Sequence, residues 1–227
     1  MKIITEKIIT NLKKSSFKFD ENVTSKMVFF LLLRYLFSLL RAQKYFYKKN
    51  IDRLVFIGKR VKIKNRIKIN RATIIGNYTV IDGLGTVGVE IGSSCNIGAF
   101  CRLICSVNYN KIGEAIIIGN NVSLGEYSYI GGASKVTIGN DTIIGQYLSV
   151  HPQNHNFTNK NKLIRLQGTT EKGVKIGDNC WLGSKVTFLD GSKVGNGCIV
   201  AAGSVVTKSF EDNVIIAGVP AKIIKHR

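Results

Sequence analysis

The sequence predicts an all-β chain: a parallel β-helix preceded by an α-helical segment, with one long loop extruded from the coil. Three observations carry this. Aliphatic-glycine dipeptides recur at a step of six residues, as in Ile112-Gly113, Ile118-Gly119, Leu124-Gly125 and Ile130-Gly131. Of the 23 glycines, 22 lie after residue 73. Charge runs the other way, since residues 1–72 hold 19 Lys and Arg against 4 Asp and Glu, while residues 73–227 hold 14 against 10. The net charge of +19 over 227 residues is thus mostly a property of the first third. A polyanion or an anionic membrane suits that part and not the rest. With 44% hydrophobic and 9% aromatic residues the chain is neither disordered nor collagen-like.

Residues 1–54 form the basic, apolar N-terminal segment and residues 55–227 the β-helical domain. Met1 to Asn22 is mixed in polarity and carries no secretory signal pattern. A helix is expected from Thr24 to Tyr47, with Thr24 or Ser25 as N-cap and Arg34, Arg41 and Lys44 emerging from an apolar cylinder. Its apolar run, about 14 residues from Met27 to Leu40, is shorter than the roughly 20 that span a bilayer. Two readings stay open. In one, Phe29, Phe30, Leu33, Phe37 and Leu40 enter the acyl boundary while cations of residues 24–49 meet anionic headgroups. In the other, the helix packs on the body or on a neighbouring subunit.

A period of six is incompatible with a helix of 3.6 residues per turn. It fits a coil with three short flat sides, one hexad per side, in which one aliphatic residue per hexad points inward and stacks on its counterparts. The step also separates Ile91-Gly92 from Ile97-Gly98, Ile138-Gly139 from Ile144-Gly145, and Ile176-Gly177 from Leu182-Gly183. Glycine after the aliphatic residue permits the corner, and Asn or Asp beside it tolerates turn geometry. Cys95, Cys101, Cys105, Cys180 and Cys198 are odd in number and lack a C-x-x-C pair, which points to reduced core residues of a cytosolic protein.

The repeat is interrupted twice. Gly83 to Val89 is short enough for a bulge or irregular coil. The second interruption, residues 152–173, contains no hexad, so it must leave the coil as a loop, and such loops commonly carry function. His151 and His155 fall in its first stretch, His151-Pro152-Gln153-Asn154-His155-Asn156-Phe157.

Downstream, Ile176-Gly177-Asp178-Asn179-Cys180-Trp181-Leu182-Gly183-Ser184, Ala201 to Lys208 and Ala217-Gly218-Val219-Pro220-Ala221-Lys222 resemble the C-terminal signature of hexapeptide-repeat O-acetyltransferases. With Gln153 to Phe157 and Ile164 to Gly168, the likeness is nearest to enzymes that acetylate capsule, exopolysaccharide and O-antigen sugars. It covers roughly residues 55–227. It implies a left-handed coil, an exception to the right-handed crossover rule. It further implies acetyl-coenzyme A as donor, a sugar or glycan acceptor, and a homotrimer with active sites between subunits.

Acetyl transfer to a hydroxyl needs a base of near-neutral pKa, and histidine suits it. The family's catalytic histidine lies eleven residues beyond the aliphatic residue of the preceding hexad; counted from Ile144, that is His155. His151 is then a residue contacting acceptor or base. Trp181 matches the family's groove tryptophan, near both acceptor and pantetheine. Ser184, Ala202 and Gly203 match positions whose backbone holds pantetheine. Thr207, Lys208 and Lys222 match positions near the nucleotide, where cations meet phosphates; Lys222 stands where the family often has Arg. Glu126, Tyr127 and Arg165 are further acceptor candidates. A backbone N–H of a neighbouring coil is expected to stabilise the oxyanion.

No metal is required by this chemistry, and a three-histidine site of the γ-carbonic anhydrase kind would need His226 at the extreme C-terminus. N-acetylation of an amino sugar is the nearer alternative, and a non-catalytic scaffold the more remote one. No nucleic-acid module is present. The expected location is the cytoplasm, with peripheral contact on the inner membrane face.

Overall fold

The computed structural model describes residues 2–13, 16–46, 50–106 and 108–227. Two helices open the chain, α1 (Lys2–Lys13) and α2 (Ser25–Phe46). Among the described residues, the strands that follow wind left-handed through three sheets of 8, 9 and 7 strands, parallel throughout except for the last strand of the second sheet. Each turn visits the first, second and third sheet in order, as in Val136–Ile138, Ile143–Ile144 and Ser149–His151.

The hexad explains the core. Ile57, Ile75, Ile97, Leu124, Ile144, Leu182, Val200 and Ile216 pair in register along the second sheet. All are 0–3% exposed, forming one continuous aliphatic column. Leu182 and Val200 sit 18 positions apart, three hexads to the turn. Ile144 and Leu182 are 38 apart yet pair directly, so the long loop leaves the coil without disturbing the register. The strand Gly85–Ile91 pairs with Gly113–Ile118 through a register shift beside Gly88 at φ 98°, which resolves the interruption at residues 83–89 as a bulge. One aliphatic of the repeat departs from the pattern. Ile112 is 41% exposed at the end of a short loop, so its dipeptide keeps the spacing by coincidence.

The edge between first and second sheets explains the Asn and Asp of the repeat. Asn121, Asp141, Asn179 and Asn213 adopt φ of 51–57°, where a short polar side chain lowers the cost. Their predecessors bridge the coils: backbone N–H groups of Ser93, Asn120, Asn140, Asp178 and Asn196 donate to side-chain oxygens of Asn120, Asn140, Asp178, Asn196 and Asp212 at 2.6–2.9 Å. All five cysteines are free and buried. Burial pushes the Cys105 thiol up to about 12 and those of Cys101 and Cys180 to about 11.

Both ends of the coil are covered. Val214–Gly218 and Ala221–His226 form an antiparallel hairpin at the C-terminal end. At the other end the ladder begins with Asn50–Ile51, upstream of residue 55, and α2 packs beside it. Thr24 caps α2, its Oγ1 accepting from the Met27 N–H at 3.2 Å. Val28, Ser38 and Ala42 are buried, Tyr45 Oη donates to the Val61 carbonyl at 3.0 Å, and Arg41 Nε to the Ile57 carbonyl at 2.8 Å. One face of α2 thus packs on the body, while Phe29, Phe30, Leu36, Phe37 and Leu40 are exposed on the other. The expected helix end at Tyr47, and residues 48–49 of the expected contact segment, lie outside the described residues. Helix α1 had no counterpart in the sequence reading; the segment after it folds back, with the Phe19 N–H donating to Glu6 Oε1 at 2.8 Å. Among the described residues no helix is long and apolar enough to cross a membrane.

Candidate active site

The edge between third and first sheets carries the loops. The short loop that carries Ser106 and Lys111 and the long one at residues 152–173 rise two coil steps apart, on either side of the coil of Tyr129 and Gly132, and flank a cavity of about 310 Å³ lined by Tyr129, Gly132, His151, Gln153, Lys111 and Glu171. Glu171 ties the parts together. Its Oε1 accepts from Lys111 Nζ at 2.5 Å, Gln153 Nε2 at 2.9 Å and Thr169 Oγ1 at 2.9 Å. The hydrogen bond from Lys111 is the main reason its carboxyl sits below the usual glutamate range. Where the long loop re-enters the coil, the N–H groups of Lys172 and Gly173 donate to Asp190 Oδ1 at 2.7 and 2.9 Å.

Within the loop, Asn154–His155 and Thr169–Thr170 form a two-stranded antiparallel ribbon with His155 opposite Thr169. This ribbon holds His155 outside the coil. Its side chain is exposed and makes no hydrogen bond among the described residues. His151 is placed differently: its Nε2 lies 2.7 Å from Ser149 Oγ, and its ring stacks on Tyr129 with centroids 5.5 Å apart. Arg165 lies in the turn Ile164–Leu166 near the loop tip, where Phe157, Leu163, Ile164 and Leu166 are exposed. Gln167 braces that tip by donating to the Asn159 and Lys162 carbonyls at 2.9 and 2.7 Å.

A second set of expected residues occupies the edge between second and third sheets. Trp181 stands on the outer face of the second sheet, 58% exposed, paired with Ile143 and Ile199. Ser184, Ala202 and Gly203 follow at the corner. Gly203 has φ 73°, and a Cβ there would meet nothing within 4 Å, so the backbone is open on this side. Ser184 Oγ donates to Gln146 Oε1 at 2.8 Å, continuing the row toward Glu126 and Tyr127. Here Tyr78, Phe100, Tyr127 and Tyr147 all adopt φ of 58–62° and stack with centroids 4.9–5.3 Å apart. Bulky residues in that region are costly, and mutual stacking offsets part of the strain.

Thr207 and Lys208 lie with the loops, between Val205–Val206 of the third sheet and Ser209–Phe210 of the first. Lys222 is exposed on the C-terminal hairpin. One chain therefore brings Trp181, Ser184, Ala202, Gly203, Glu126 and Tyr127 to one edge and His151, His155, Arg165, Thr207 and Lys208 to another. The third sheet separates the two groups. Sequence reasoning did not single out Glu171, Lys111, Gln153, Asp190 or Gln167 as site residues: Lys111, Gln153, Gln167 and Glu171 lie outside the hexads, and the contacts of Glu171 with Lys111 and of Asp190 with Gly173 join residues far apart along the chain. Among the described residues no group of His, Cys, Asp and Glu could hold a metal ion.

Comparison with known proteins adds to this geometry. The family described as bacterial transferase hexapeptide (six repeats) matches residues 173–208. The chain is 38% identical over 145 residues to a putative lipopolysaccharide biosynthesis O-acetyl transferase, WbbJ, of Escherichia coli K12, spanning 60% of this chain and 71% of that protein. It is 31% identical over 121 residues to the galactoside O-acetyltransferase of the same strain, covering 52% of this chain and 57% of that protein. A solved structure of a mutant of AntD, an N-acyltransferase from Bacillus cereus in complex with dTDP and coenzyme A, superposes with a TM-score of 0.58. That likeness covers 82% of this chain and 89% of that one at 18% identity, and it shows a shared fold.

Proposed function

Since the chain belongs to the bacterial hexapeptide-repeat transferases and is an acyltransferase, we propose that it transfers acetyl from acetyl-coenzyme A to a sugar hydroxyl of a bacterial surface polysaccharide, or of its lipid-linked or nucleotide-linked precursor. The ribbon that holds His155 outside the coil carries this reading. His155 takes the proton of the attacking hydroxyl, the sugar oxygen bonds to the acetyl carbon, the carbon–sulfur bond breaks, and coenzyme A leaves as its thiol. Both substrates are held together, so no acyl-enzyme is needed; the raised thiol pKa values agree with that, since burial disfavours the nucleophilic thiolate.

The open backbone at Gly203 fits an extended pantetheine arm along Ser184 and Ala202 beside Trp181. Thr207, Lys208 and Lys222 are assigned to the nucleotide end. Glu126, Tyr127, His151 and Arg165 are assigned to the acceptor. Because His155 and the pantetheine edge lie on different edges of one chain, the site is completed by a second copy in a homotrimer, docked through the apolar loop tip. The division at residues 54 and 55, a cytoplasmic location, and contact of the outer face of α2 with an anionic membrane belong to the same proposal.

The test is acetyl-coenzyme A consumption with free, nucleotide-linked and lipid-linked sugars, with the product treated with neutral hydroxylamine. An O-acetyl ester is cleaved, whereas an acetamide survives and would establish N-acetylation instead. His155→Ala is expected to abolish transfer with the assembly intact.

A further inference from the structure

Between α2 and the second sheet runs a trough of about 630 Å³, of which the reaction above uses only Glu126, at its far end. Its α2 wall carries Arg34 and Arg41, and the first coil adds Lys59. Arg41 is oriented by its bonds to the Ile57 carbonyl and to Ser38 Oγ at 3.0 Å, which leave further guanidinium donors unused. None of the three cations has a carboxylate partner among the described residues, where the one ion pair is Lys111–Glu171. Three cations without a carboxylate partner at one end of a concavity favour an anion there.

The surroundings of that site differ on its two sides. On α2, the exposed Phe30 and Phe37 lie four residues before and three after Arg34, so they neighbour it on the helix surface and border the exposed apolar face. Along the coils, the floor turns polar through Asn77, Asn96, Ser123, Glu126 and Gln146. From the Lys59 row to the Gln146 row is four ladder steps, on the order of 19 Å at about 4.8 Å each. Gln146 then receives Ser184 at the pantetheine edge. Apolar face, cations, polar track and donor edge thus follow in line.

Resting on the acetyl-transfer reading, we infer that this trough binds the acceptor, and that the acceptor is a glycan joined through phosphate to an apolar chain. The chain lies on Phe30 and Phe37, the phosphate at Arg34, Arg41 and Lys59, and the sugars along the track toward Gln146. A nucleotide-linked sugar would leave the apolar face unused.

Three probes test this on the full chain by equilibrium titration below their micelle concentrations: octyl glucosyl phosphodiester, octyl glucoside and UDP-glucose. The phosphodiester is expected to bind at least ten-fold tighter than either of the others, and Arg34→Gln with Lys59→Gln is expected to erase that preference. Both positions are exposed, so the fold is retained, with circular dichroism as the check. Equal binding of octyl glucoside, equal or tighter binding of UDP-glucose, or a preference that survives the double substitution would each overturn the inference. Coenzyme A binding is titrated separately. Its absence from the wild-type chain would count against the transferase reading itself, whatever the phosphodiester does.

Discussion

Lys111 Nζ lies 2.5 Å from Glu171 Oε1, so a short loop on one coil is tethered, across the coil between them, to the stem of the long loop that leaves two steps further on. Lys111 is exposed and Glu171 partly buried, and the pair contributes on the order of 1 kcal/mol or less to global stability. Its consequence is local, because the same carboxylate gathers Gln153 and Thr169 from both stems of the ribbon that presents His155.

The charge on Glu171 makes this tether pH-dependent. Its folded pKa is depressed below the ordinary 4.5, chiefly by Lys111, so the contribution is fully present above pH 4.5 and is lost as pH falls through the lower folded value. Limited pepsin cleavage within residues 152–173 should accelerate across that acid window in the wild type. In Glu171→Gln it should already be fast at the upper end; identical profiles would show that the tether does not order the loop.

Asp190 is the second anchor. Asp190→Ala orphans the Lys172 and Gly173 N–H groups where the loop re-enters, which costs about 1–3 kcal/mol. Urea denaturation measures it, and Asp190→Asn, which keeps an acceptor oxygen, should recover a large part.

Ala202→Trp tests the pantetheine edge. The position is exposed, so stability should change little, while the KM for acetyl-coenzyme A rises at least ten-fold as the bulky ring covers the ledge beside Gly203. Unchanged KM would move the donor elsewhere on the molecule.

Phe30→Glu with Phe37→Glu places two carboxylates on the exposed face of α2 without touching Val28 or Ala42 on its buried face. Co-sedimentation with vesicles of anionic lipid should be lost. Deleting the whole segment is a poorer test, because α2 also covers the first coil through Tyr45 and Arg41.

Much of this fold was legible because a stacked coil imposes a period on its sequence. Ile118, Leu124 and Ile130 announce three inward positions, and Asn120 and Asn140 announce the bridged corners between them. Ile112 shows the limit, since an aliphatic residue at the right spacing ends a loop, exposed, instead of pointing into the coil. The aromatic ladder is also regular in the sequence, each ring following aliphatic-Gly-x, as in Ile75-Gly76-Asn77-Tyr78. Its stacking depends on corners that align only once the coil closes. The site was legible residue by residue but not as an arrangement. Nothing along the chain tells that His155 and Ser184 fall on different edges, because that depends on which edge of the coil the loop of residues 152–173 leaves.

The central claim is that His155 of one copy serves the pantetheine edge of another, and subunit mixing tests it most directly. His155→Ala and Ala202→Trp chains are refolded together in equal amounts and assayed for acetyl transfer at acetyl-coenzyme A well below the wild-type KM, where each alone has little activity. Random assembly of a cyclic trimer pairs an intact histidine with an intact ledge at about a quarter of the interfaces, so about a quarter of wild-type activity should return. Mixed assemblies no more active than the single variants would contradict a shared site.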